Sequence, residues 1–310
     1  MNEFEIIRYP KINNVNSFIV ALEYRTAHLH RDFELNLVLE GRLTLLSNNK
    51  RYIGQAGDVL LLNPNQPHEY FTHGEVGATL LCLQISPRFF KDTFPAMPDV
   101  SFESVKLGDA AWRNEFMKYA YDFAAAYMNP HINSLLSGSA LLYAIFFLLL
   151  EHVPHHFLSS AEQQAILRKT ERILRLLDFV DTNFAHKINL RDFAAAEGVS
   201  LNHMSYFVKE NLNQTFQEYV ANVRYNQARK LLITENKRLI DICLESGFSD
   251  LRYLTQAFVA KTGLRPDEYR RKYATRKEDD QYHRSQYSSQ IFYSNEEAKR
   301  ILTYLKAPLI

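Results

Sequence analysis

The sequence predicts an α+β fold: an N-terminal β-barrel, a helical segment behind it, and an all-α C-terminal part carrying two helix-turn-helix units. Three observations predict it. Short strand-like runs separated by turn residues occupy positions 17–85, as in a small barrel or sandwich. The hydrophobic period changes from two to a helical one near Gly108. A helix–turn–helix pattern beginning at Leu190 recurs from Leu239, at an offset of 49 residues. A chain of 310 residues has room for two cores. The boundaries drawn are a barrel at 1–105, a helical segment at 106–153, a linker at 154–166, the duplicated part at 167–275 and a tail at 276–310.

Composition narrows the function classes. The chain is 46% hydrophobic and 23% charged with a formal net charge of +1, which excludes disordered and fibrous proteins. Its two cysteines, Cys82 and Cys243, are far apart. That excludes a disulfide framework and a cysteine-based zinc module and suits a reducing compartment. Met1-Asn2-Glu3-Phe4-Glu5 lacks the apolar stretch of a signal peptide. The apolar run Ala140 to Leu150 is shorter than the ~20 residues a bilayer requires. A cytoplasmic protein without a membrane span is expected. The charge is unevenly spread: residues 167–277 hold 20 Lys/Arg and 13 Asp/Glu, a net of +7, and the remainder nets −6. A basic segment joined to an acidic one suits a polyanion partner for the first.

Element by element, Phe33, Leu35, Leu37 and Leu39 alternate with Glu34, Asn36, Val38 and Glu40, a half-buried strand pattern. Ser47-Asn48-Asn49-Lys50 reads as a hairpin connection. Val59–Leu62 is a further strand, closed by the turn chemistry of Asn63-Pro64-Asn65-Gln66-Pro67. Trp112, Phe116, Tyr119 and Phe123 recur at helical spacing. After a break at Asn129-Pro130, a helix is expected from about Asn133 to Val153. Its Leu135, Leu136, Leu142, Ile145, Phe146, Leu149 and Leu150 are too many for one stripe, so a partner subunit is expected to bury part of it. His152, His155 and His156 are read as a helix end and solvated groups. After Ser294 an amphipathic helix is expected, with Ile301, Tyr304 and Leu305 on one face.

The duplicated segment is the most informative. Leu190–Ser200 matches Leu239–Ser249, and Glu218-Tyr219 matches Glu268-Tyr269. Gly198 and Gly247 stand where the chain turns after a helix, and Ser200 and Asp250 stand where a cap is needed. In the first second helix, Met204, Phe207, Val208 and Leu212 form an inward stripe, leaving Asn202, Ser205, Tyr206 and Lys209 outward. In its counterpart, Leu254, Ala257 and Phe258 face in, and Arg252, Thr255 and Gln256 face out. Such donors and acceptors on a helix read base edges in a major groove. Phe216 to Thr234 reads as a connecting helix, about 27 Å long at 1.5 Å per residue, a spacer suited to successive grooves about 34 Å apart. The alternative is a pair of structural hairpins with solvated polar faces.

Residues 173–272 closely resemble the DNA-binding domain of the AraC/XylS family of transcription regulators. The resemblance is carried by Leu190, Ala194, Gly198, Ser200, Phe207 and Lys209, by Arg224, Ala228, Leu231 and Leu232, and by Ile240–Asp250, Phe258, Gly263, Pro266, Tyr269 and Arg270. It implies base contacts from Asn202, Ser205, Tyr206, Arg252, Thr255 and Gln256. Tyr206 stands where an Arg is common and Val259 where a Lys is common, which puts one base contact and one phosphate contact in doubt.

His28-x-His30-x3-Glu34, then Gly57-Asp58 and Pro64-Asn65-x-Pro67-His68, resemble the two motifs of the cupin barrel. Asn65 and Pro67 depart from the second motif. Two histidines at i and i+2 on a strand share a face, and with Glu34 and His68 they could make a His3Glu metal site. Three readings stay open: a metal-dependent cupin enzyme or metal-sensing regulator, an effector pocket holding no metal, or a structural cluster at the barrel mouth. The attached DNA-binding segment favours the effector pocket, because in regulators of this resemblance the cupin usually binds a small molecule, often a sugar. Tyr24, Arg25 and Tyr70 would supplement that pocket. The resulting expectation is a non-enzymatic, sugar-responsive activator that binds double-stranded DNA as a homodimer, needs no cofactor and has RNA polymerase as a further partner.

Overall fold

The computed structural model describes residues 7–72, 77–108, 111–129, 132–273, 282–284 and 288–306. The expected break at Pro130, the charged run Arg276 to Asp280, the N-terminal five residues and the Leu305 side chain lie outside the described residues.

The N-terminal half is a barrel-like sheet. Its strands are β1 (Val15–His28), β2 (Phe33–Glu40), β3 (Arg42–Ser47), β4 (Lys50–Gln55), β5 (Val59–Leu62), β6 (His68–Phe71) and β7 (Ala78–Ile85), in the order β4-β3-β6-β1-β7-β2-β5. The β3–β4 hairpin turns on Asn48 and Asn49, at φ 49° and 56°, with Ser47 paired to Lys50. Two residues with positive φ match the twist of the flanking strands.

The alternation in β2 is not a solvent-facing pattern. Phe33 through Leu39 are all buried. Phe33, Leu35, Leu37 and Leu39 pack in one core with the helices α1 (Trp112–Met128) and α2 (Ile132–His152), while Val38 joins Val20, Leu22, Leu43 and Leu45 in a second core. Glu34 and Asn36 share the Val38 face, so the period-2 polar residues point into the barrel.

Residues 154–166, expected as a linker, hold β9 (His155–Phe157), paired with β8 (Val100–Phe102), and the first turns of α3 (Ser160–Asn183). Ser159 and Glu162 form a capping box at that helix start. His155 and His156 are therefore strand residues.

α2 runs 21 residues, close to the expected Asn133–Val153. Asn133–His152 is long and apolar enough to cross a membrane by length and composition. One side of it, with Leu142, Ile145, Phe146 and Leu149, is fully buried here, while Leu136 and Phe147 remain 77% and 62% exposed.

The C-terminal half contains α4 (Leu190–Ala196), α5 (Leu201–Leu212), α6 (Phe216–Thr234), α7 (Leu239–Glu245), α8 (Leu251–Thr262) and α9 (Pro266–Tyr273). α6 joins two cores. Phe216, Tyr219, Val220 and Val223 pack with α3, α4 and α5, and Tyr225, Ala228, Leu231 and Leu232 pack with α7, α8 and α9.

The tail returns to the barrel. β10 (Tyr282–Arg284) pairs with β11 (Ser288–Phe292), which pairs with β1, and α10 (Asn295–Lys306) packs on α1. The face of α10 that packs is Ala298 and Leu302, each 1% exposed, with Ile301 beside them; Tyr304, expected on that face, is 78% exposed. Adjacent apolar positions at 298, 301 and 302 define the stripe, and Tyr304 falls half a turn away.

Candidate functional site

The barrel interior holds a dense polar cluster. The His28, His30 and His68 rings bring ligand atoms within 4.8 Å of one another. Each ring is oriented through Nδ1 against a backbone carbonyl: Thr26 at 2.9 Å, Asp32 at 3.1 Å and Gln66 at 2.8 Å. A carbonyl only accepts, so each Nδ1 carries the proton and each Nε2 faces the site. Glu34 lies among them, accepting from His30 Nε2 at 2.8 Å, Asn36 Nδ2 at 2.6 Å, Tyr70 Oη at 2.7 Å and Gln84 Nε2 at 3.0 Å. Burial raises the Glu34 pKa, but the hydrogen bond from His30 and the surrounding imidazoles more than reverse this and hold it well below the usual carboxylate range. Burial, with Arg25 and His68 nearby, pushes His28 well below the ordinary imidazole value, and burial takes His68 down to about 4 despite Glu34. With both nitrogens facing acceptors, His30 suits the imidazolium, so the cluster holds one ion pair and two neutral rings.

A cavity of about 30 Å³ adjoins this cluster, lined among others by Arg25, His28, Glu34, Asn36, Tyr70 and Gln290. Of the residues expected there, Arg25, His28, Glu34 and Tyr70 line it, and His30 and His68 stand behind them. Tyr24 does not: its ring lies under the Arg229 guanidinium of α6 at 4.2 Å. The reason is local. β1 changes register between Leu22 and Tyr24 and again between Arg25 and His28, and each bulge switches which residues face inward. Asn36, Gln84 and Gln290 are site residues that the sequence reading missed. The β2 alternation carried a signal for Asn36; long-range pairing brings in the other two.

For a metal, His30, His68 and Glu34 offer nitrogen and oxygen donors, and His68 Nε2 is buried without a hydrogen-bond partner. Against this, Arg25 Nε donates to His28 Nε2 at 2.8 Å, placing a permanent cation where a fourth ligand would bind.

The second site is the outward face of α5 and α8. Ser200 caps α5 by accepting from the His203 N–H, and Asp250 caps α8 by accepting from the Arg252 N–H. Gly198 and Gly247 make the preceding turns at φ 67° and 77°. Asn202, Ser205, Tyr206 and Lys209 are exposed, as are Arg252 and Gln256; Thr255 is half-buried and bonds back to the Leu251 carbonyl at 2.8 Å. His203 and Tyr253 are exposed on the same helices and were not singled out from sequence.

A profile described as "Helix-turn-helix domain" matches residues 193–272, and one described as "AraC-like ligand binding domain" matches residues 21–104. The chain is an AraC/XylS-type transcriptional regulator. It is 25% identical over 233 residues to the uncharacterised HTH-type transcriptional regulator YbfI of Bacillus subtilis (strain 168), covering 73% of this chain and 80% of that one. A second protein of that organism, YdeC, named in the same way, is 21% identical over 83% of this chain and 88% of its own. Among solved structures, fatty-acid-bound ToxT from Vibrio cholerae aligns over 85% of this chain and 97% of that chain, at 14% identity and a TM-score of 0.42; a likeness of that size carries no functional weight.

In this DNA-binding regulator the two halves meet at the strand that bears the histidines. Ala27 and Leu29, flanking His28, lie in the same buried cluster as Ile173, Leu176, Val180 and Leu212. The strand thus shows one face to the cavity and the other to the core beneath α5. Glu69 of β6 lies at the same junction, with Gln214 Nε2 at 3.4 Å. Its pKa is pushed up to about 7 by burial, with Lys261 of α8 pulling the other way.

Proposed function

We propose that this regulator reads DNA through Asn202, Ser205, Tyr206 and Lys209 of α5 and Arg252, Thr255 and Gln256 of α8, and that a small polar effector, a carbohydrate, controls it from the barrel. The observation that carries the reading is the pair of capped helices, joined by α6, each turning a polar face to solvent. Lys and Arg contacts to phosphate supply salt-dependent affinity, and the two polar faces supply sequence choice. Residues 1–105 form the effector unit, 106–153 the dimerising helices and 167–275 the DNA-binding unit. The protein acts in the cytoplasm as a homodimeric activator that contacts RNA polymerase. Arg25, His28, His30, Glu34, His68 and Tyr70 supply the donors and acceptors a polyhydroxylated ligand needs, beside apolar walls. Ligand-dependent movement of β1 reaches α5 through Ala27 and Leu29, and its size is set by the difference in ligand affinity between the two arrangements. The test is competition binding at low ionic strength: one promoter fragment must outcompete scrambled duplex of the same length. Equal competition removes the sequence-reading proposal.

The orphaned His68 Nε2 supports a second reading, in which the regulator senses a metal. Elemental analysis separates the two. Stoichiometric metal that disappears in His30→Ala favours metal sensing, and metal-free protein that responds to a sugar dismisses it.

A further inference from the structure

The C-terminal tail is the segment that neither the DNA-binding helices nor the barrel itself accounts for. It leaves α9 in the DNA-binding half and comes back to add a strand to the barrel. β11 runs antiparallel along the outer edge of β1, with Val20 opposite Phe292, Ala21 opposite Ile291 and Leu22 opposite Gln290. Its attachment has several points. Phe292 packs edge-on against Phe18 with centroids 5.1 Å apart, the Tyr293 N–H donates to the Ile19 carbonyl at 3.0 Å, and Lys11 Nζ donates to Asn295 Oδ1 at 3.3 Å. Ala298 and Leu302 then bury themselves in the core around α1.

Gln290 is only 7% exposed and lines the cavity alongside Arg25, His28 and Glu34. With that wall in place the cavity measures about 30 Å³, room for a water or two and far from the ~300 Å³ or more of a small-molecule site. A wall must move to admit anything larger. β1, β2, β6 and β7 are each paired along both edges within the sheet. β11 is held by β1 and, on its other side, by the three-residue β10, whose only partner among the described residues is β11. β11 and β10 can therefore leave together by parting from β1 and the contacts just named, with the β1–β6, β1–β7 and β2–β7 pairings of the barrel intact.

We propose that the C-terminal strand is a plug in the effector cavity: Gln290 occupies space a ligand would take, and entry of a small polyhydroxylated ligand requires β11 to leave the edge of β1. The inference of a ligand rests on the effector reading above; the plug itself does not. Because the tail is continuous with α9, its release also changes how the DNA-binding half is tethered to the barrel.

Cys82 makes the plug testable without knowing the ligand. It is 3% exposed and lines this cavity, whereas Cys243 is fully buried in the α7–α8 core. The full-length protein is treated with a small aromatic disulfide reagent and the two thiols are followed separately by mass spectrometry. Two variants loosen the tail from different places: Phe292→Ala beside the cavity and Leu302→Ser on the remote helix. Each is expected to speed Cys82 modification by about tenfold or more through local opening, with Cys243 unchanged. Unchanged Cys82 reactivity in a variant whose tail has become protease-sensitive overturns the plug, and so does equal acceleration of both thiols. Adding free aldopentoses and aldohexoses to Leu302→Ser then separates the two ideas. A sugar that protects Cys82 in this variant at lower concentration than in the wild type supports both. Cys82 freed by tail loosening but protected by no sugar leaves the plug standing and removes the carbohydrate.

Discussion

Arg252 presents an exposed guanidinium over the Tyr253 ring, 5.1 Å from its centroid, at the first turn of α8. A planar fork in that position is suited to two hydrogen bonds with a guanine edge. Arg252→Ala is expected to weaken specific binding by about 1–3 kcal/mol while changing random-duplex binding far less. Equal losses on both duplexes would make Arg252 a phosphate contact. Gly247 and Gly198 offer a sharper comparison, because both have positive φ but different neighbours. A Cβ on Gly247 would meet the Phe184 carbonyl oxygen at 2.5 Å, while one on Gly198 would meet nothing within 4 Å. Gly198→Ala should cost only the left-handed strain, about 1 kcal/mol. Gly247→Ala adds a clash with backbone and should cost about 2 kcal/mol more. Denaturant titration checks the order, and equal costs would mean that the Phe184 backbone yields freely.

At the level of elements, the readable features were those fixed by neighbours in the chain. Ser200 and Asp250 were recognisable as caps, and Asn48-Asn49 as a hairpin, because each needs only local geometry. The His28-x-His30 pair was recognisable because two residues apart on extended chain means one face. Tyr24 was misplaced because bulges in β1 depend on which strand lies opposite, and nothing near Tyr24 announces them. Gln84 and Gln290 reach the cavity by pairing across 50 or more residues, which a single-sequence period cannot show. Glu69 belongs to the same class: its burial beside Gln214, with Lys261 of α8 acting on it, depends on the C-terminal half. A carboxyl with a pKa raised from 4.5 to about 7 on docking favours the docked arrangement when protonated. That contribution is whole below about pH 4.5, declines as pH rises, and is gone above about pH 7. Buried His28 and His68, with depressed pKa values, pull the opposite way in both proteins, so Glu69→Gln should gain stability relative to the wild type as pH rises from about 4.5 to about 7. Denaturation at several pH values tests this, and a variant with the wild-type slope would assign the dependence to another group.

For the whole molecule, α2 poses the open packing problem. Leu136, Tyr143 and Phe147 form an apolar stripe at i, i+7 and i+11, with Leu136 and Phe147 mostly exposed. Stripes of that kind are covered by partners. Insertion into a bilayer would require α2 to leave the core, uncovering Leu142, Ile145, Phe146 and Leu149 together with the α1 surface against them, at about 1.5–3 kcal/mol for each side chain left in water. A second copy would cover the stripe without that loss, and on the proposed reading two copies would present four helices, two α5 and two α8, to DNA. The double variant Leu136→Asp and Phe147→Asp should sediment as a single 36.2 kDa protomer where the wild type sediments as two, and its footprint on DNA should halve. Because both positions are on the surface, folding should be retained, with a mid-temperature of unfolding that no longer depends on protein concentration. A wild type that is already monomeric at micromolar concentration, both free and on DNA, would leave the stripe to some other partner.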